Sequence, residues 1–170
     1  MVRWTIPRSG IIDQERRYSH YYMDESRYIN LSHNVSNLVY HFVCPAKYRR
    51  SVFSETVEEH LRNICLEIEY RYDYIHFLEI GADKNHVHFL IQSTPKYAPS
   101  KIITIIKSIT AKQIFLECPE VKKFLWGGQF WTDGYFVATV GRHSNEQEIR
   151  EYVKNQGKDC EDYRQLYLFK

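Results

Sequence analysis

Tyr74-Ile75-His76-Phe77-Leu78-Glu79-Ile80 and His86-Val87-His88-Phe89-Leu90-Ile91-Gln92, separated by Gly81-Ala82-Asp83-Lys84-Asn85, decide the architecture. Both runs are short and rich in β-branched and aromatic residues, as strands are. The polar, glycine-bearing segment between them reads as a turn, so the pair is predicted to be a β-hairpin. Upstream, Ser54 followed by Glu55 suits a helix start, and Val57, Leu61, Ile64, Cys65 and Ile68 fall on one helical face. Before that helix, Leu38-Val39-Tyr40-His41-Phe42-Val43-Cys44 reads as a strand stopped by Pro45. Downstream, Pro99 and Ser100 open a second helix with Ile102, Ile105, Ile106 and Ile109 as its buried stripe. A shorter helix is expected over Glu120–Leu125, then a break at Gly127-Gly128. Next comes a strand, Gln129–Val140, interrupted at Asp133-Gly134. Ser144 and Gln147 have capping-box spacing and open a last helix through Gln156. The order strand, helix, strand, strand, helix, strand, helix predicts an α+β fold, an antiparallel sheet with helices on one face.

The 170 residues suit one domain plus an arm. Residues 1–32 are polar and tyrosine-rich without clear period and form the expected N-terminal arm. A hydrophobic content of 44% excludes disorder as a description of the whole. The formal net charge is only +2, so any footprint for nucleic acid must be local. The 14 tyrosines suit base stacking and a β-rich core equally. Cys44, Cys65, Cys118 and Cys160 are scattered and read as reduced thiols. With no secretory signal and no apolar run near the ~20 residues that cross a bilayer, a cytoplasmic protein with no membrane partner is expected.

His86-Val87-His88 is the sharpest chemical feature. Residues two apart on a strand share a face, about 6.6–6.8 Å apart, so both imidazoles can converge on one divalent cation. The ordinary alternative is one exposed histidine and one satisfied in the core. On the last helix, Tyr152 and Gln156 are four apart and therefore neighbours. An amide oxygen that completes a ligand set is thus presented beside a phenol that can attack phosphate. A free phenol has a pKa near 10, so such a nucleophile needs activation. The ordinary alternative is a surface tyrosine on an amphipathic helix.

These features stand in a longer series. His33-Asn34-Val35 is followed by Tyr40-His41-Phe42-Val43 leading to Lys47-Tyr48-Arg49-Arg50. Asn85-His86-Val87-His88-Phe89-Leu90 comes next, then Tyr135-Phe136-Val137-Ala138-Thr139-Val140-Gly141, and Tyr152-Val153-Lys154-Asn155-Gln156 closes it. In this order the motifs resemble the single-tyrosine HUH transposases, the TnpA type of the IS200/IS605 kind of insertion sequence, over about residues 33–156. The tail, residues 157–170, matches less well. The resemblance implies a ferredoxin-like (RRM-like) fold with a C-terminal catalytic helix. It also implies a homodimer in which one subunit's tyrosine helix can complete the other's histidine site. By the same carry-over Tyr152 is the nucleophile, and His86, His88 and Gln156 hold Mg²⁺ or Mn²⁺. The family's acid before the first histidine is Asn85 here, with a modest effect expected.

The implied activity is cutting and rejoining of single-stranded DNA with hairpin ends through a 5′-phosphotyrosine. A flat sheet face with aromatics suits unpaired strands better than duplex grooves. Lys47, Tyr48, Arg49 and Arg50 make the best local backbone contact, three cations around one ring. Lys96-Tyr97, Lys101, Lys107 and Lys112 either extend it or form a solvated helix face. Trp126-Gly127-Gly128-Gln129-Phe130-Trp131 either stacks bases or is buried. Two rival readings are a catalytically inactive single-stranded nucleic-acid-binding regulator of the same fold and a metal phosphodiesterase that uses water.

Overall fold

The computed structural model describes residues 28–141 and 146–156. Ser144 of the expected capping box, Cys160, residues 1–27 of the expected arm and residues 157–170 lie outside the described residues. The described chain begins with a small hairpin, β1 (Ile29–Leu31) paired antiparallel to β2 (Asn34–Ser36). That hairpin straddles the boundary expected between residues 32 and 33. The rest runs β3 (Leu38–Pro45), α1 (Glu55–Arg71), β4 (Ile75–Asp83), β5 (His86–Ser93), α2 (Pro99–Glu117), α3 (Val121–Phe124), β6 (Phe136–Val140) and α4 (Glu146–Lys154).

β3, β4, β5 and β6 form one antiparallel sheet in the order β4-β5-β3-β6. With α1 and α2 as crossovers, this is the ferredoxin-like arrangement. Alternation along the strands divides the sheet into two faces. Tyr40, Phe42 and Cys44 of β3 and Val87, Phe89 and Ile91 of β5 face the main core, which α1 and α2 cover. Val39, Leu90 and Val140 point the other way and gather a smaller cluster with Ile149 of α4. The catalytic-helix candidate therefore lies on the face opposite the two long helices.

Local chemistry explains the elements. Ser54 Oγ accepts from the Val57 N–H at 3.4 Å, and Glu55 and Glu58 sit at the positive end of α1. Val57, Leu61, Ile64, Cys65 and Ile68 are all buried, as their spacing predicts. On α2 the stripe is Ile102, Ile103, Ile106, Thr110 and Ile114, and Ile105 and Ile109 are only partly covered. Cys44, Cys65 and Cys118 are free and buried, and burial pushes the Cys44 thiol up to about 12. Phe89 is fully buried between the histidine strand's neighbours and the helical layer. Phe89→Ala is expected to cost about 3–5 kcal/mol of folding stability, measured by urea denaturation.

Two expected elements differ. The strand predicted over Gln129–Val140 is confined to β6, joined upstream only by an isolated bridge between Ala46 and Trp131. Residues before it leave the ladder because Trp131 is buried and donates from Nε1 to Thr110 Oγ1 at 3.0 Å. Lys107 Nζ then donates to the carbonyls of Thr132, Asp133 and Gly134 at 2.7, 3.1 and 3.3 Å. Second, Gly81-Ala82-Asp83 belongs to β4, and the hairpin loop is only Lys84-Asn85. No helix among the described residues is long and apolar enough to cross a membrane.

Candidate active site

On the sheet face away from α1 and α2, three histidines meet. His86 and His88 lie with ring centroids 4.9 Å apart, as the alternation predicts for residues two apart. His86 Nδ1 bonds the Asn85 side-chain oxygen at 2.8 Å, with an Asp83 carboxylate oxygen 3.8 Å away. Because that oxygen accepts, the His86 proton sits on Nδ1 and its lone pair is left on Nε2. His88 Nδ1 is 2.8 Å from Nε2 of His41, on the neighbouring strand β3, and these two rings stack at 5.1 Å and 22°. His88 Nε2 is buried with no hydrogen-bond partner. Burial holds His41 down to about 4 and, helped by the other two histidines, His88 down to about 2. Burial also lowers His86, with Asp83 opposing and Arg49 assisting. All three rings are thus neutral near pH 7, the state in which imidazole ligates metal.

α4 lies over these histidines because of a bulge. Ile75 and Phe77 face the core, but the register slips between Phe77 and Glu79, so Ile80 and Ala82 face it beyond. Gly81, opposite His88, is thereby turned to the outer face. A Cβ placed on Gly81 would lie 1.8 Å from the Val153 carbonyl oxygen and 3.2 Å from Gln156 Cβ. The backbone of α4 therefore rests directly on that glycine. Arg150 Nη2 donates to the Leu78 carbonyl at 3.2 Å, and Val153 is fully buried. So seated, Tyr152 places its ring edge-on to His88, centroids 5.6 Å apart at 83°, within the same chain. Gln156 sits over Gly81, and its amide nitrogen donates to the Tyr152 carbonyl at 3.4 Å. Beside it a cleft of about 440 Å³ opens, with Glu58, Arg62, Glu79, Lys84 and Lys154 in its lining.

The basic segment flanks the site, since Pro45 pairs with His86 and the Ala46 N–H donates to the Asn85 carbonyl at 2.9 Å. Lys47–Arg49 is a single 3-10 turn in which Tyr48 and Arg49 have positive φ, 57° and 49°. Tyr48, Arg49 and Arg50 are exposed. Lys47 is half-buried and pairs with Asp133 at 3.6 Å. Tyr48 stacks on Trp126 at 5.4 Å and 17°, and the two are 53% and 69% exposed, leaving aromatic surface outward. The expected Trp126–Trp131 group splits: Phe130 and Trp131 are core, and Trp126 alone is open. Lys107 holds the 132–134 carbonyls and belongs to the scaffold, not to an extended basic patch.

His41, Gly81 and Arg150 were not singled out from sequence. A histidine inside an otherwise apolar central strand is the signal that points to His41. Gly81 gives none, because its facing depends on the bulge.

Among the described residues no three His, Cys, Asp or Glu side chains gather as a metal cluster. The expected donors are of another kind, two imidazoles that do come together and the amide of Gln156, which lies over Gly81, the strand partner of His88. The bare, buried Nε2 of His88 is the atom a cation would satisfy. Neutral imidazoles ligate divalent cations, and a carbonyl-type oxygen is the donor that Mg²⁺ and Mn²⁺ favour, so the mixed set fits a divalent cation through the amide oxygen more than through the two rings.

Residues 34–156 match the family described as "Transposase IS200 like". The chain belongs to this family. Its curated relatives include the ISDra2 transposase TnpA of Deinococcus radiodurans, 30% identical over 72% of this chain and 86% of that protein. The transposase of insertion sequence IS200 from Salmonella typhimurium is 29% identical over 75% of this chain and 82% of the relative. A crystal structure of a Deinococcus radiodurans R1 protein described as a transposase superposes with a TM-score of 0.62. It is 27% identical and covers 76% of this chain and 98% of that one. A REP-associated tyrosine transposase bound to a REP hairpin has a TM-score of 0.51 at 11% identity, covering 74% and 69% of the two chains. That second likeness is one of fold. As an IS200-like transposase the chain is a DNA-binding enzyme of strand cleavage and transfer.

Proposed function

We propose that this IS200-like transposase cuts and rejoins single-stranded DNA at hairpin-bearing element ends through a 5′-phosphotyrosine on Tyr152. The observation that carries the reading is the edge-on placement of Tyr152 against His88, whose Nε2 is buried and bare. His86, His88 and Gln156 would hold Mg²⁺ or Mn²⁺, which when bound polarises the scissile phosphate and shields its charge. Tyr152 Oη forms the bond to phosphorus as the P–O3′ bond breaks. The phenol's proton leaves to solvent and the departing 3′ oxygen takes one up. A second 3′-hydroxyl reverses the step, so strands rejoin without an external energy source. Asn85 holds the His86 ring, and α4 holds Tyr152 against the sheet. Arg49 and Arg50, exposed on the segment that follows the strand paired with His86, would contact the backbone of a DNA strand entering there, and the Tyr48–Trp126 pair would offer a face for an unpaired base.

A homodimer is part of the proposal. β6 is an edge strand of the sheet and exposes Tyr135, Phe136 and Val137 beside or along it, apolar surface that a second copy would cover.

The direct test is a single-stranded oligonucleotide copied from the element's own end, labelled 3′ of the cut and incubated with Mg²⁺ or Mn²⁺. The label is expected to stay on denatured protein. Cleavage without an adduct would make water the nucleophile, and binding without cleavage would make the chain an inactive regulator. Arg49→Ala is expected to weaken single-strand binding and to flatten the salt slope by about 0.7, read by fluorescence anisotropy across a KCl series. Lys47→Ala should change it less, because Asp133 already pairs that charge.

A further inference from the structure

Two hydrogen bonds to ring Nδ1 atoms set how the histidine pair presents itself. His86 is held by Asn85, its sequence neighbour, whereas His88 is held by a residue forty-seven positions away, His41. We infer that His41 is a positioning residue that sets the tautomer and orientation of His88, so that the Nε2 lone pair of His88 faces the site. The inference rests on the metal reading proposed above.

A single proton lies between His88 Nδ1 and His41 Nε2, and its owner decides what His88 can do. If His41 donates, the His88 proton must sit on Nε2, where it is buried, has no acceptor and blocks ligation. If His88 donates, Nε2 is bare and able to ligate, and His41 carries its own proton on Nδ1. The second arrangement leaves no buried N–H of His88 unpaired, and a cation at Nε2 selects it further. Burial keeps the His41 ring in place: His41 is 7% exposed, stacked on His88 and carried by the central strand of the sheet. Hydrogen-bond partners that orient metal ligands in this way typically contribute about 10–100-fold to affinity.

The test measures Mn²⁺ binding to the full chain by electron paramagnetic resonance, with four proteins: the parent, His88→Ala, His41→Leu and His41→Gln. His88→Ala is expected to lose binding, which checks the metal reading itself. His41→Leu, with no acceptor, is expected to bind about 10–100-fold more weakly while still melting cooperatively, at a temperature lowered by the unpaired His88 N–H. His41→Gln, whose amide reaches the place of Nε2, is expected to recover most of that loss. If His88→Ala binds like the parent, the metal reading fails. If His88→Ala loses binding but His41→Leu keeps parental affinity, the positioning role alone fails. Loss of all binding in both His41 variants would make His41 a ligand and overturn the inference. The tautomer is read without any variant from long-range ¹H–¹⁵N spectra of the parent saturated with Mg²⁺. His88 protonated on Nδ1 is the expected result, and protonation on Nε2 would refute the inference even if His41→Leu fails to fold.

Discussion

A Tyr152→Phe protein is expected to form no covalent adduct and to cleave end DNA at least about 10⁴-fold more slowly than the parent, in line with removal of other enzymatic nucleophiles. The substitution removes one oxygen and leaves the ring whose edge meets His88 at 5.6 Å. Packing of α4 through Ile149, Val153 and Arg150 does not involve that oxygen. Melting temperature, Mn²⁺ affinity and anisotropy-measured DNA affinity should therefore stay near parental values. That separation is the diagnostic, since loss of binding together with cleavage would mean the phenol holds DNA without attacking it. Full cleavage with no adduct would transfer the nucleophile's role to water. A shift of the adduct to another tyrosine would displace Tyr152 from the proposal.

The parts legible in the sequence were those governed by local periodicity. The β-branched and aromatic runs Leu38–Cys44 and His86–Gln92 are enough to assign strands, and a step of two along a strand places His86 and His88 on one face. The spacing from Val57 to Ile68 is enough to place one helix against that sheet. The four-residue step from Tyr152 to Gln156 is likewise local, and its partner in space was supplied by the family resemblance alone. What stayed hidden depends on pairing across the sheet. Gly81 resembles a turn glycine because the polar Asp83-Lys84-Asn85 follows it, yet a bulge three residues earlier makes it the landing site of α4. Lys107 looks like an exposed cation at helical spacing, yet three carbonyls of a distant loop converge on it. His41 sits in a run that reads as core, and only strand order places it beside His88. In each case the deciding contact joins residues far apart in the chain, where composition and period carry no information.

The bulge and its glycine lead to the second large effect. Gly81→Ala is expected to lower the rate of adduct formation by on the order of 10²-fold, as an ångström-scale misplacement of a reacting group does. The added methyl would lie 1.8 Å from a backbone oxygen and 2.8 Å from the carbonyl carbon of Val153, and neither atom can rotate aside as a side chain would. Relief requires the helix itself to retreat, and Tyr152 and Gln156 retreat with it. A helix offered by a second subunit to the same seat would meet the same methyl, so the effect holds whichever chain supplies the phenol. β4 and β5 keep their pairing and the main core lies on the other face, so the sheet should stay folded. Histidine-based Mn²⁺ binding should fall far less than catalysis, because His86, His88 and their Nδ1 partners are carried by the sheet and its hairpin loop. Single-turnover adduct assays, paired with melting curves and metal titration, check all three expectations. A Gly81→Ala enzyme that reacts at the parental rate would mean that the tyrosine helix does not occupy this seat when the strand is cut.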